Sequence, residues 1–595
     1  MIPRILTGVL LCAIPSLAAD DVLMRAMRDE LARSMKKLQL ENLQKPYFIA
    51  YRAVESDGCY VGASFGAITT SSCEPPASGQ TRTRSLAVDV RVGDYARDNT
   101  NFYAPRLATA GVVRPLIDGG LAVPIDENYD EIRRQLWLAT DSAYKNALDL
   151  YAKKKAALAN RNRTDDAPDF SKEQPVTENQ TAPPIVWNRA TIEGTVKTLS
   201  ALFRETPGIA DSEVWLNANN WLTHYVNSEG ASYTRQASFA TLQVNAATQA
   251  EDGMTLTDFD VMYGRTLDEL PTAAEMTRRV RSLASRLNGL RKATLVERYT
   301  GPVLFEGQAA GELFFQGFAN VLVGVPRVVV DDLRFESAYN ANAGLADRIG
   351  SRILPDFLSI TDSPAAREFQ GKPLLGGYTV DEEGVKAGST SLVEKGVLKT
   401  LLHTRALLPG TTQSTASRRG PFPMPSNLIV AAGKTMNAEQ LKAELIRLVK
   451  QRGAEFGIVV RRVGNPILAA SLNRSVIIIS TGGSAPGSIA VEPVTEAYKV
   501  FPDGHEELAR NLTINGLTLA TFKDILAVSD SPMVYSAPMR NTVRVPVMAT
   551  GFIQYGGPTV VSAVVPSFLF EEMTLERPKG DIPNLPFTRH PFFDK

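Results

Sequence analysis

The sequence predicts an α+β fold in two domains, N-terminal helices with an antiparallel sheet and then a β-rich C-terminal domain. Three observations lead there. At 595 residues the chain can bury more than one core. Helical periodicities flank strand runs joined by short turns, which favours antiparallel pairing over a doubly wound sheet. The second half consists mostly of short strands punctuated by Gly and Pro. The 64 Lys and Arg balance the 64 Asp and Glu, so no overall field draws the chain to nucleic acid.

Residues 1–19 read as a signal peptide. Arg4 supplies the positive start, Ile5 to Leu17 the apolar core, and Ser16-Leu17-Ala18 the cleavage site. Leu11 before Cys12 disfavours lipidation, so the expected location is exported, periplasmic or extracellular. No later stretch is apolar and long enough for a membrane span. In an oxidising compartment Cys59 and Cys73 most simply form a disulfide, stabilising by about 3 kcal/mol.

The N-terminal α+β domain is expected over 20–290. A helix carries Leu23, Met27, Leu31 and Met35 on one face, and strands follow at Tyr47–Val54 and Leu86–Val92. Gly62-Ala63-Ser64-Phe65-Gly66 matches a nucleophile elbow, but no helix follows it as that motif requires. A helix is expected from Asp126 to Leu158. Residues 161–186 are polar and Pro-containing, and read as a flexible linker or insertion. Next come a helix (Ala190–Phe203), strands (Glu213–Leu216, Leu222–Asn227, Phe239–Ala247, Leu256–Met262) and a helix (Ala273–Leu290). The basic run from Arg278 through Arg281 to Arg286 and Arg291 reads as a solvated helical face.

The C-terminal domain is expected over 291–577, with a Pro-rich tail over 578–595. A strand ending at Phe305 runs into a helix reaching about Leu322. Gln308, Glu312, Gln316 and Asn320 form one polar row along it. Leu392–Leu398 reads as a hairpin, and Asn437 with Gln440 as a capping box opening a helix that Gly453 stops. Strands are expected at Gly457–Val463, Ser475–Ser480, within Met548–Val565, and at Ser567–Leu575. Asp503-Gly504 turns a hairpin.

The order of certain pieces resembles the TldD/PmbA family, named for modulators of DNA gyrase and containing zinc-dependent peptidases. These pieces are Val226-Asn227-Ser228-Glu229-Gly230, Gly301-Pro302-Val303-Leu304-Phe305-Glu306, Asp381-Glu382-Glu383-Gly384, Glu394 to Lys399 running into Leu402-His403-Thr404-Arg405, and Gly557-Pro558 leading to Phe568–Glu572. The resemblance covers about Ala190 to Leu575 and implies a metallopeptidase-like C-terminal domain.

Catalytic members of that family carry His-Glu-x-x-x-His where the helix begins, and a late cysteine, for zinc. In the same register this chain has Glu306, Gly307 and Gly311, and no cysteine follows Cys73. The resemblance therefore implies a member lacking the zinc motif, with no metal or other cofactor expected. A noncatalytic subunit is one reading, as homodimer or as heterodimer with a zinc-bearing relative, acting on a peptide or unfolded protein. An active peptidase using other residues is a second, and a peptide-binding module without hydrolysis a third. The candidate cleft residues are Gln308, Glu312, Asp381, Glu383, His403 and Arg405, with Glu382 in the same acidic run. An exported chain could not reach a cytoplasmic gyrase, so that role is set aside.

Overall fold

The computed structural model describes residues 21–73, 82–103, 121–159, 167–180, 182–336, 340, 345–420, 422–468, 489–510, 512–539 and 560–578. The expected signal peptide, the strand at Ser475–Ser480, the start of the Met548–Val565 run and nearly all of the Pro-rich tail lie outside them.

Helix α1 (Val22–Lys37) opens on Asp21, whose side chain accepts from the Leu23 N–H at 3.0 Å. Strand β1 (Pro46–Ser64) is far longer than its apolar stretch predicts. It continues through Gly58 and Cys59 because β5 (Asp211–Asn227) pairs with it from Ala50 to Ala63. Phe65 and Gly66 then turn the chain into β2 (Ala67–Ser72), and Cys59 is bonded to Cys73 at the hairpin's end. Ser64 therefore ends a hairpin strand, with no helix behind it. The expected break between Glu213–Leu216 and Leu222–Asn227 is also absent. Asn217 to Asn220 pair on both sides, so ladder hydrogen bonds override their low strand propensity.

Completing this first, eight-stranded sheet are β3 (Thr83–Val92), a two-residue strand at Leu121–Ala122 paired with it, β4 (Thr177–Gln180), β6 (Ser232–Gln249) and β7 (Thr255–Gly264). Helices α2 (Tyr129–Ala159), α3 (Arg189–Ala201) and α4 (Ala273–Leu290) cover it with α1. On α4, Arg278, Arg279, Arg281 and Arg286 pair with Glu275, Asp260, Glu205 and Asp258. The expected flexible linker is corrected in its described part. Ala167, Asp169, Phe170 and Ser171 are buried, and β4 adds to the sheet in parallel with β6. Composition misled because one aromatic and a few polar contacts suffice to anchor a segment lying on a preformed surface.

The second eight-stranded sheet is centred on β8 (Arg298–Phe305). The third sheet runs through β9 (Leu358–Asp362), β10 (Thr390–Glu394) and β11 (Asn427–Ala432). Helix α5 (Gly307–Gly317) starts directly after β8 and fills the space between these sheets; Leu313, Phe314 and Phe318 pack with Phe305, Ile360 and Leu428. It ends before the expected Leu322. A β-carbon on Gly317 would stand 2.7 Å from Phe522, and the chain tightens into a 3-10 turn over Ala319–Leu322.

Helix α6 (Ala438–Arg452) has the expected capping box at Asn437 and Gln440 and stops at Gly453 in a left-handed conformation. It covers the outer face of the second sheet through Leu441, Leu445 and Leu448. Strand β12 (Gly457–Val463) lies parallel to β8, and β13 (Val494–Val500) and β14 (Glu506–Arg510) extend that sheet. Strands β15 (Met533–Pro538) and β16 (Val560–Val565) finish the third sheet, and β17 (Phe568–Glu576) pairs with β8. Among the described residues no helix is long and apolar enough to cross a membrane.

Candidate functional site

The junction of β8 and α5 places a strand end and a polar helical row inside the molecule. Gln308 bonds both the N–H and the carbonyl of Val463, each at 2.9 Å. Gln316 donates to the Gly464 carbonyl and accepts from the Glu492 N–H. These amides tie α5 to β12 and the chain that follows it. Glu306 lies apart, 3.4 Å from Arg461.

Glu312 is fully buried. Its carboxylate accepts from the Tyr535 hydroxyl, from Asn465 Nδ2 at 2.8 Å and from Gln316 Nε2 at 2.7 Å. Burial pushes its pKa up to about 7, against the pull of those donors. Tyr535 reaches Glu312 by lying across Gly311. A β-carbon on Gly311 would stand 2.5 Å from two ring carbons of Tyr535 and 2.8 Å from its β-carbon. At Gly307 a β-carbon would meet nothing within 4 Å, but φ there is +54°.

The donor set here does not fit a zinc ion. Gly307 and Gly311 offer no ligand atoms, the ring of Tyr535 occupies the space beside Gly311, and Glu312 is already held by three donors. Among the described residues no three His, Cys, Asp or Glu side chains converge as a metal site would need.

The second group of candidates clusters where the sheets of the two halves meet. Asp381 is buried and accepts from the N–H groups of Glu383, Val385 and Arg418. Burial and the nearby Glu383 charge push its pKa up to about 7. Glu382 pairs with Arg52 of β1. Glu383 accepts from the Arg405 N–H at 2.8 Å and from Arg418 Nη1 at 2.9 Å. Burial opposes its ionisation, but Arg418, Arg91 and Arg405 outweigh that and hold its pKa below the usual range.

Arg405 is buried and makes a fork onto Glu229 at 2.7 and 2.8 Å, with its guanidinium 3.8 Å from the Phe170 ring centroid. It also donates to the Ser171 carbonyl. Both ring nitrogens of His403 face carbonyl oxygens, of Leu401 at 2.9 Å and Gln413 at 3.0 Å. His403 therefore braces its own loop and is turned away from the carboxylates. The structure thus gathers Asp381, Glu383 and Arg405 into one network, leaves His403 beside it, and places Gln308 and Glu312 in a separate one.

Asp381 and Glu382 line a cleft of about 730 Å³ between the halves, together with Gln180, Gln236–Phe239, Arg265, Arg367, Arg418 and Arg419. Sequence reasoning missed this cleft, and it also missed Tyr535 and Asn465 around Glu312 and Arg52 and Glu229 around Glu382 and Arg405. The one usable signal was Val226-Asn227-Ser228-Glu229-Gly230, singled out for its order in the chain but not for Glu229 itself.

The β8–α5 unit thus lies between the second and third sheets, with the first sheet supplied by the N-terminal half. Residues 298–577 match the PmbA/TldA metallopeptidase C-terminal domain. The chain thus carries the C-terminal domain of the TldD/PmbA family, and its fold neighbours support membership of that family.

Solved structures are similar over nearly the whole chain. A Thermotoga maritima chain assigned as a modulator of a DNA gyrase has 14% identity and a TM-score of 0.57, covering 93% of this chain and 99% of its own. TldE from Thermococcus kodakarensis has 14% identity and a TM-score of 0.55, with 92% and 99% covered. A Bacteroides thetaiotaomicron chain, likewise assigned as a modulator of DNA gyrase, has 12% identity and a TM-score of 0.56, with 93% and 98% covered. At such identities the likeness is one of fold. No curated relative matches the sequence significantly.

Proposed function

We propose that this chain is a metal-free, noncatalytic subunit of an exported peptidase assembly, pairing with itself or with a zinc-bearing relative. The observation that carries the reading is Gly311 under Tyr535. The position that would bear the second zinc-binding histidine is closed by a side chain anchored in β15 and bonded to Glu312. The role left to the chain is to supply cleft walls and an interface for a partner that carries the chemistry.

Peptide capture without hydrolysis is a second reading, favoured by the cleft between the halves. An active peptidase built on Asp381, Glu383 and His403 draws no support from their contacts, because each is committed to backbone groups or arginines.

The test is to purify the mature chain from its native host without chelators, then assay bound metals, co-purifying proteins and peptide hydrolysis. The expected result is substoichiometric metal, no hydrolysis by the chain alone, and either self-association or a histidine-bearing relative in the same fraction. A stoichiometric transition metal with hydrolysis by the isolated chain would overturn the proposal.

A further inference from the structure

The cleft between the halves contains an interruption in the first sheet. Strand β6 is paired along one edge with β5, from Ser232 to Ala247. On its other edge β4 pairs with Ser232–Arg235 and β7 with Ala240–Gln249. Among the described residues neither reaches Gln236–Phe239, and these four residues line the cleft. The Ser232 N–H donates outward to Val176, so the strand's two-residue alternation turns the backbone groups of every even-numbered residue toward this edge. Ser238 accordingly presents an N–H and a carbonyl inside the gap. The gap spans about 13 Å, the length of a short extended segment.

The walls of the gap are basic. Five arginines, Arg235, Arg265, Arg367, Arg418 and Arg419, line the cleft with the carboxylates of Asp381 and Glu382. Both carboxylates are already committed, Asp381 to backbone N–H groups, Glu382 to Arg52 and the Gly420 N–H. Arg265 and Arg418 face Glu269 and Glu383. Arg419 donates to the Pro425 and Val560 carbonyls and feels the buried Asp362 carboxyl, whereas Arg235 donates to the Val380 carbonyl and exposed Arg367 has no carboxylate partner among the described residues. An unpaired backbone edge under excess positive charge recognises main chain and carboxylates together.

We propose that this gap binds an acidic peptide segment in extended conformation, added as a short strand against Gln236–Phe239 with its carboxylates among the arginines. The inference does not depend on whether α5 has lost its chemistry, since the two places share no residue.

The test uses fluorescence anisotropy with the full chain and a labelled eight-residue peptide alternating Glu and Val, beside its Gln–Val counterpart. The acidic peptide is expected to bind about tenfold tighter at low salt, an advantage that about 0.5 M NaCl erases. Arg367→Glu, on an exposed side chain, should weaken the acidic peptide about tenfold and leave the neutral one unchanged. Ser238→Pro removes an N–H that no ladder of the described residues uses, and should weaken both about tenfold. Equal affinity for the two peptides, no saturable binding below about 1 mM, or indifference to both substitutions would overturn the proposal. Mass spectrometry of the recovered peptide reports hydrolysis separately, so failure to bind and failure of the noncatalytic reading are distinguishable.

Discussion

Replacing Gly311 by alanine sets two effects of opposite sign against each other. In a helix interior alanine is favoured over glycine by about 1 kcal/mol. Against that, the new β-carbon would stand 2.5 Å from Cγ and Cδ1 of Tyr535 and 2.8 Å from its Cβ. These atoms sit close to the β15 backbone, so rotating the ring cannot clear them. Overpacking of this kind costs about 1–3 kcal/mol, and the close approach of three anchored atoms puts it at the upper end. Gly311→Ala should therefore lower stability by about 2 kcal/mol net, read as a shifted urea midpoint at unchanged m-value. Tyr535→Ala alone should cost about 3–5 kcal/mol, and the double variant less than the sum, with a coupling of about 2–3 kcal/mol. Tyr535→Phe keeps the ring and removes the hydroxyl, so on that background Gly311→Ala should cost what it does in the parent. A Gly311→Ala protein as stable as the parent, or an additive cycle, would mean that the ring does not close this position, and the argument for a lost zinc site would go with it.

The Glu312 carboxyl, held near 7 when folded against an ordinary value of 4.5, contributes stability that is complete below about pH 4.5 and is lost as pH rises toward 7. The stability difference between the parent and Glu312→Gln should drift by about 3 kcal/mol from pH 4.5 to 8, in favour of the variant at high pH; a constant difference would refute the assignment. Arg405→Ala should cost about 3–5 kcal/mol by leaving the Glu229 charge with only the Tyr95 hydroxyl and the Ser171 carbonyl without the guanidinium, and Arg405→Lys should recover only part of this because the fork is lost. A loss below about 1 kcal/mol in urea unfolding would show that the network is peripheral.

Where structure follows local signals, the sequence is readable. Helix α4 spans the expected Ala273–Leu290, β12 the expected Gly457–Val463, and the Asn437–Gln440 box opens α6. Periodicity, caps and turn residues act within a few positions, so they appear in the chain as written. Strand β5 fails that test. Its Asn217-Ala218-Asn219-Asn220 run looks like a break and is held extended only because β1 and β6 lie on either side. The candidate site divides the same way. The polar row of α5 is legible as a row, but Tyr535 lies far along the chain and nothing in its surroundings marks it as the group over Gly311. The strand gap at Gln236–Phe239 is harder still to read, since it is a property of where two neighbours stop.

The links between the halves bear on which piece of this chain can stand alone. Tyr225 donates to the Glu383 carbonyl, Arg52 holds Glu382, Glu229 holds Arg405, and Arg235 reaches the Val380 carbonyl. A fragment cut to residues 298–577 would keep Glu382 and Arg405 while discarding the side chains that neutralise them. The segment that evolution carries as a recognisable module would then meet water with charges shaped for an interior. Such a fragment should be poorly soluble or partly unfolded, and adding the N-terminal half in trans should restore it. That outcome would mean that the matched domain and the folding unit have different boundaries.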